Sequence, residues 1–528
     1  MKRPNLLLWC LLFFVGCLCA PEKKSKSPSS DSVLLLYTTS VQGYVTPCGC
    51  TQNPLGGIDR LATVIEQAKR THDGRVILID AGQLLFDPKA MDQCQDDSRI
   101  DLLLSIYSHL GFLGTVPGEI DEARGKAFCD AKLTKHHLPP FGIHQARKAL
   151  IEKRGDFKIG ITAFRLDKDQ DVEKTQKELA EQIGIMKRAD VNAVVVVAEA
   201  PIRVTKRVVA QLAYVDIVIQ GAFPGESPML PEALSPNGPW LMSAGMQGQY
   251  LGIVEFHFLQ GKSTKKLVLD DRELRAQGRK RLLETRVAGL KKQLTEKRDA
   301  AYEKFLRERL QVADDELRSV DISGQLAPLS VPHFVSKAIP LDKKIPPTPA
   351  VQSQLQAYER SIPRIVAECE AKVECPVANP GTPTFVGAAT CLTCHTQAGE
   401  VWHGTAHAKA WQTLEKVQKT SDRTCIGCHS VGFLKPGGYC RVGDVDFRKN
   451  VQCESCHGAG SLHAASGDKR LIQREVPEST CRGCHHVPHI ESTESFVYDE
   501  KVLKILGPGH GHALLQKLQH QRNTKTGS

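Results

Sequence analysis

Long apolar runs are nearly absent from this chain of 528 residues, which excludes a polytopic membrane protein. The one apolar stretch at the start, Leu6 to Val15, is too short to span a bilayer comfortably. Also missing is any segment in which basic residues are interleaved with aromatics. Aromatics are 6% of the residues, and the 69 Lys and Arg are spread along the chain. The formal charge of +10 therefore does not point to nucleic acid. It suits an acidic protein partner and an anionic membrane surface equally. With 41% hydrophobic and 24% charged residues the chain is not disordered either. At about 150 residues per domain, its length predicts two to four units.

Met1-Lys2-Arg3 supplies a positive region before the apolar stretch, and this order predicts an export signal. The end of the stretch, Phe14-Val15-Gly16-Cys17, resembles the lipobox of bacterial lipoproteins. That resemblance implies a signal over 1–16, lipidation of Cys17 and a membrane anchor. Residues 17–31, rich in Lys, Ser and Pro, then read as a flexible tether. Leu18, where inner-membrane lipoproteins carry Asp, implies the outer membrane, so the expected location is the periplasm or the cell surface.

Cysteine is plentiful, and eight of the 18 fall into one repeated pattern. The four copies are Cys391-Leu392-Thr393-Cys394-His395, Cys425-Ile426-Gly427-Cys428-His429, Cys453-Glu454-Ser455-Cys456-His457 and Cys481-Arg482-Gly483-Cys484-His485. Two thiols three positions apart form thioethers to the two vinyl groups of one porphyrin, and the next residue puts an imidazole under the iron. Composition alone predicts roughly 0.02 such matches. Zinc is the rival ligand, but it has no need of His directly after every second Cys. Export to an oxidising compartment also works against free thiolate clusters. Four covalently bound c-type haems are expected, with His395, His429, His457 and His485 as proximal ligands.

Twelve of the 19 histidines lie between His395 and His520, more than proximal ligation consumes. His403, His407, His463, His486, His489, His510, His512 and His520 are left for the opposite haem faces. Here the segment resembles the tetrahaem cytochrome c family of the nitrification type. The resemblance is carried by Trp402 and His407-Ala408-Lys409-Ala410, then by Cys453-Glu454-Ser455-Cys456-His457-Gly458-Ala459-Gly460 running to His463. It implies that distal histidines ligate haems attached elsewhere in the segment. His463 would cap the first haem, His407 the third, and His510 or His512 the fourth, leaving the second open. His486, His489 and His520 read as surface residues. Redox proteins are the implied partners.

From Ser32 onward, apolar runs such as Val33 to Tyr37, Val76 to Ile79 and Val194 to Val197 alternate with polar helical stretches such as Lys174 to Lys187. This is an α/β layout with strands covered on both faces. Gln42-Gly43-Tyr44, Pro47-Cys48-Gly49-Cys50, Gly56 to Ala62, Asp80-Ala81-Gly82 and Ala244 to Gly252 resemble, in that order, the motif blocks of calcineurin-like metallophosphoesterases of the 5'-nucleotidase type. The resemblance implies a four-layer α/β/β/α sandwich. Its metal ligands are replaced, however. The blocks read Ser40-Val41-Gln42-Gly43, Gly82-Gln83, Val116-Pro117-Gly118-Glu119 and Gly221-Ala222-Phe223-Pro224, so no divalent-metal phosphatase centre and no hydrolysis are expected. Cys48 and Cys50 remain as redox candidates, against a plainer reading of disulfides among Cys48, Cys50, Cys94 and Cys129.

Arg272 to Leu310 is densely charged but keeps an apolar stripe of Leu283, Val287, Leu290, Leu294, Ala301 and Phe305, which predicts an amphipathic helix paired with Gln352 to Glu370. A short strand around Phe334 to Ile339 is expected to return to the front domain, and Cys369 and Cys375 to form a local disulfide that leaves Cys440 over. The whole is a multidomain chain: signal 1–16, tether 17–31, degenerate metallophosphoesterase-like sandwich 32–270, helical connector 271–375, linker 376–384, and a mostly helical and irregular tetrahaem domain 385–528.

Overall fold

A computed structural model describes residues 32–510, apart from 48–50, 90, 93, 167–170, 223–224, 226–227, 237, 260–265, 296–298, 321–328, 444–445, 487–488, 491–494 and 509. The expected signal, Cys17, the tether, Cys48, Cys50, His512 and His520 lie outside the described residues. No helix among those described is long and apolar enough to cross a membrane.

Eleven strands follow in chain order: β1 (Ser32–Thr38), β2 (Val76–Asp80), β3 (Ala149–Arg154), β4 (Phe157–Arg165), β5 (Ala193–Glu199), β6 (Ile217–Gln220), β7 (Met229–Ala233), β8 (Trp240–Ser243), β9 (Tyr250–His257), β10 (Val268–Leu269) and β11 (His333–Pro340). They build two mixed sheets, in the orders β10-β11-β9-β1-β2 and β3-β4-β5-β6-β8-β7. The helices that cover them are α1 (Ile58–Thr71), α2 (Asp96–Leu110), α3 (Lys126–Lys135), α4 (Val172–Arg188) and α5 (Ile202–Val209). Three more follow: α6 (Arg272–Leu294), α7 (Ala300–Ser319) and α8 (Pro349–Glu370).

Side chains alternate across a strand, so an apolar run without interruption needs cover on both faces. In β1, Val33, Leu35 and Tyr37 enter the layer between the sheets, while Leu34 and Leu36 pack under Leu61, Ile65, Leu104 and Tyr107 of α1 and α2. In β5, Val195 and Val197 face the first sheet, while Val194 and Val196 meet Leu179, Ile183, Val204 and Val208 of α4 and α5. Three stacked cores thus define four layers, α/β/β/α.

The connector departs from its expected form in two ways. The charged stretch is two helices, α6 and α7, packed on each other through Leu283, Val287, Leu306 and Ala313. The expected partner, α8, instead lies on α1 and α2, where Val351 and Leu355 join the helix-side core. The strand expected near Phe334 does return to the sandwich, as β11 along β9.

The disulfides also differ from expectation. Because α8 runs along α2, its last turn brings Cys369 to Cys94, and these two are bonded across Cα atoms 5.4 Å apart. Cys375 is bonded to Cys440, which is therefore not left over. Cys129 is a buried free thiol that burial pushes up to about 12.

Gly252 explains one fixed position in the closing motif block. It pairs with Tyr37 across β1 and β9, and a Cβ there would sit 2.2 Å from the Tyr37 ring. Gly252→Ala is expected to destabilise the sandwich by about 1–3 kcal/mol through overpacking. Thermal unfolding checks this, and combining it with Tyr37→Leu, which removes the clashing atoms, should give less than the sum of the two losses.

Candidate functional site

The C-terminal region has a small apolar core of its own. Among the described residues it is the cluster of Trp411, Leu414, Ile426 and Tyr439. The segment is held instead by polar anchors. The buried carboxylate of Glu454, inside the third motif, accepts from the backbone N–H groups of Val386, Gly387 and Gly460 at 2.7–3.1 Å. Trp402 Nε1 donates to Val451 O at 2.8 Å, and Val451 N donates to His407 O at 3.2 Å. These bonds tie the start of the segment to its third motif.

All eight motif cysteines are free of disulfides, and their thiols form a spatial chain. Cys391 donates to Cys453, which pulls the Cys453 thiol down to about 7 and pushes Cys391 up. Cys428 stands in the same relation to Cys484, which is likewise lowered to about 7. Cys456 lies in the field of Cys481 and Cys484. The sites therefore run first, third, fourth, second, and the second stands at one end.

The imidazoles fit axial ligation of haem iron. Two imidazoles on one metal, each about 2 Å from it, have ring centres about 6 Å apart. His395 and His463 stand with centroids 6.2 Å apart, and His407 and His485 at 6.1 Å. His510 lies in the field of His457. Burial lowers the pKa of His407, His485 and His510, favouring the neutral, ligating form. Nδ1 of His429 faces Ala410 O at 2.7 Å, that of His457 faces Gln473 O at 2.7 Å, and that of His463 faces Asp468 O at 3.0 Å. A carbonyl only accepts, so each Nδ1 carries the proton and each Nε2 keeps the lone pair a metal needs.

This geometry corrects one expected pairing. His407, with its backbone pinned beside the third motif, reaches the fourth motif's His485 and not His457. Among the described residues no second ring is stacked on His429. His486 and His489 sit ring edge to face 4.9 Å apart, and His486 also feels Lys89 and Asp87 of the sandwich. Both residues are half-buried.

In the sandwich, the four altered metal-ligand blocks converge on a residue that sequence reasoning missed, Glu199 at the end of β5. Gln83 Nε2 donates to Glu199 Oε1 at 3.1 Å, and Ser40 Oγ donates to Gly221 O at 2.7 Å. A Cβ at Gly82 or Gly118 would come within 2.5 Å of the Glu199 carboxyl, so only glycine admits it there. Ser40, Gln42, Gln83 and Gln247 all hold left-handed backbones, with φ of 45°, 55°, 51° and 58°. Strain of this kind collects at functional loops. Burial, followed by repulsion from Asp121, pushes the Glu199 carboxyl well above the usual range, and Oε2 has no hydrogen-bond partner among the described residues. Burial also raises Asp80 to about 7 despite bonds from Thr115 and Thr38. The one available signal for Glu199 was an acid ending the apolar Val194 to Val197 run.

The two regions meet at Arg423, the first residue of the helix Arg423–His429 that carries the second motif. Its Nε donates to Asp92 Oδ2 at 2.7 Å, its Nη1 to Glu370 and to Cys440 O, and its backbone N to Gln95 Oε1 at 2.6 Å. Gln95 Nε2 returns a bond to Asp422 Oδ1 at 3.1 Å, and Lys419 pairs with Glu359 of α8 at 2.7 Å.

Residues 390–458 match the profile of a family described as cytochrome c554 and c-prime. The chain is also 28% identical to cytochrome c-554 of Nitrosomonas europaea, over 23% of this chain and 73% of that protein. Over this stretch the C-terminal region is similar to c-type cytochromes, in which haem is held covalently. Similar solved structures include the NAD nucleotidase of Haemophilus influenzae, at 12% identity, 43% of this chain, 48% of that one and a TM-score of 0.35. Another is a 5'-nucleotidase precursor of Thermus thermophilus, at 13%, 84%, 80% and 0.41. The chain spans about half the length of the first of these.

A raised folded-state pKa means that the folded chain binds the proton more tightly. Its stabilising contribution is complete below the ordinary carboxylate range and is lost as pH rises through the folded value. Glu199→Gln, which cannot ionise, should therefore lose less stability than the parent between pH 5 and pH 9, as thermal unfolding at both values will measure.

Proposed function

We propose that this chain is a tetrahaem c-type cytochrome that carries electrons outside the cytoplasm, anchored to a membrane, the outer membrane, through a lipid on Cys17. The observation that carries the reading is the pair of facing imidazole sets, His395 with His463 and His407 with His485, which supports His463 as distal ligand at the first site and His407 at the fourth. Haem iron, when bound, supplies the ferrous and ferric states, and two imidazole ligands favour electron transfer over oxygen chemistry. The chain's own residues do the rest. They hold neutral Nε2 lone pairs at the axial positions and set the attachment sites close enough for transfer along the order first, third, fourth, second.

Redox proteins are the partners in this reading, and nucleic acid has no part in it. The sandwich serves as a scaffold without hydrolytic activity, because neutral Ser40, Gln42, Gln83, Pro117 and Ala222 stand where cation ligands would be needed. Phosphoester turnover with added divalent metal should stay at background, and substantial turnover would overturn this part.

A second reading is favoured by His429. An axial position without an imidazole makes the second haem a place where a small substrate meets the iron, and the protein then a redox enzyme. Cys48 and Cys50, a Cys-x-Cys pair, are the other candidates for such chemistry.

Haem content, together with spectra of the reduced and oxidised protein, tests both readings. Four haems per chain are expected, three of them low-spin. One high-spin haem supports chemistry at the second site, and four low-spin haems restrict the chain to electron transfer. Fewer than four haems would overturn the proposal. His463→Ala and His407→Ala should each convert one further haem to high spin, read in the same spectra, with the haem still attached through its thioethers.

A further inference from the structure

The helix that carries the second motif is bonded to the sandwich through Arg423. Arg423 stands two residues before Cys425, so their Cα atoms are within about 7 Å. Its guanidinium lies in a pocket closed from three sides: by Asp92 of the loop before α2, by Glu370 at the end of α8, and by the Cys440 carbonyl. The Phe433 ring lies beneath it at 5.1 Å. Asp422, the cap of the same helix, adds a third carboxylate. Arg423, Asp92, Glu370 and Asp422 are each less than a tenth exposed. Lys419 is the other cation facing the group, more than a quarter exposed and shared with Glu359.

Both disulfides brace this pocket. Cys94 lies between Asp92 and Gln95, and Cys369 is beside Glu370, so one bridge fixes the two acceptors to each other. The other fixes Cys440, whose carbonyl completes the set. Glu370 also accepts from Val442 N at 3.0 Å. Opening the pocket would leave a buried charge without its partner, which is strongly unfavourable.

We infer that the sandwich sets the redox potential of the second haem, through Asp92 and Glu370 acting on Arg423. This rests on the reading that haem is attached at Cys425 and Cys428. Arg423 is a positioning residue with an electrostatic role. A buried positive charge near the iron favours the ferrous state, and the carboxylates that surround it favour the ferric one. The balance at this one site is supplied by a domain that carries no haem attachment motif. The first and third sites lie further along the spatial chain and serve as internal references.

The test is a spectroelectrochemical titration of the full haem-loaded protein, resolving the individual midpoints. Asp92→Asn, which keeps the shape of the side chain, should raise one midpoint by about tenfold in the ferrous to ferric ratio, about 59 mV for one electron. Arg423→Gln should lower the same midpoint, Arg423→Lys should restore most of it, and the other midpoints should stay. Opposite signs are the discriminating result, since mere loosening of the junction would move both variants the same way. Glu370→Gln, expected to shift upward like Asp92→Asn, keeps the test intact if Arg423→Gln does not fold.

Unchanged midpoints in Asp92→Asn and Glu370→Gln, or shifts of one sign in every variant, would overturn the inference. A single shifting midpoint in a protein with four low-spin haems would sink the open-site reading and leave this inference standing. A high-spin haem whose midpoint ignores all the variants would do the reverse.

Discussion

The guanidinium of Arg423, buried between Asp92 and Glu370, joins two regions that share little else in chemistry. One is an α/β/β/α sandwich with three apolar cores, and the other a cytochrome segment with a small one. A surface ion pair tolerates movement because water replaces a lost partner at little loss, whereas a buried one does not. The junction is therefore narrow in geometry. It sits at the end of the haem chain, where no second imidazole stands among the described residues.

In the sandwich, the loops that the sequence resemblance matched to metal-ligand blocks carry neutral residues. Ser40, Gln42 and Gln83 hold left-handed backbones there. Glycine still stands at 82, 118 and 221, and the space it leaves is filled by the Glu199 carboxyl. With cations the site would hold ionised carboxylates. Without them the same burial favours a protonated acid. The loop that leaves this site after Gln83 passes Asp87, which accepts from Tyr44, and ends at Asp92 and Cys94. The altered centre and the haem junction are two ends of one short stretch.

The four layers were legible because continuous apolar runs demand cover on both faces, and β1 and β5 meet that demand. The candidate attachment residues stand out in sequence because thioether chemistry needs a fixed spacing. Distal ligation leaves none. A histidine reaches whichever site the fold brings near, which is why His407 was expected at His457 and is found at His485. The same holds for the disulfides. Cys369 and Cys375 are neighbours in sequence, but α8 carries the first to α2 while the chain beyond delivers the second to Cys440. Glu199 gave no warning because its blocks are scattered over nearly two hundred positions and meet in space at a residue outside all of them.

The two disulfides also define a covalent circuit. The bridge from Cys94 to Cys369 spans 275 residues, and that from Cys375 to Cys440 spans 65. The first encloses most of the sandwich and the whole α6 and α7 hairpin, and the second encloses the first two haem motifs. A protease that cuts the exposed hairpin therefore severs the backbone without separating the cytochrome segment from the start of the sandwich. Damage at the most accessible part of the chain leaves the haem segment fastened to its support.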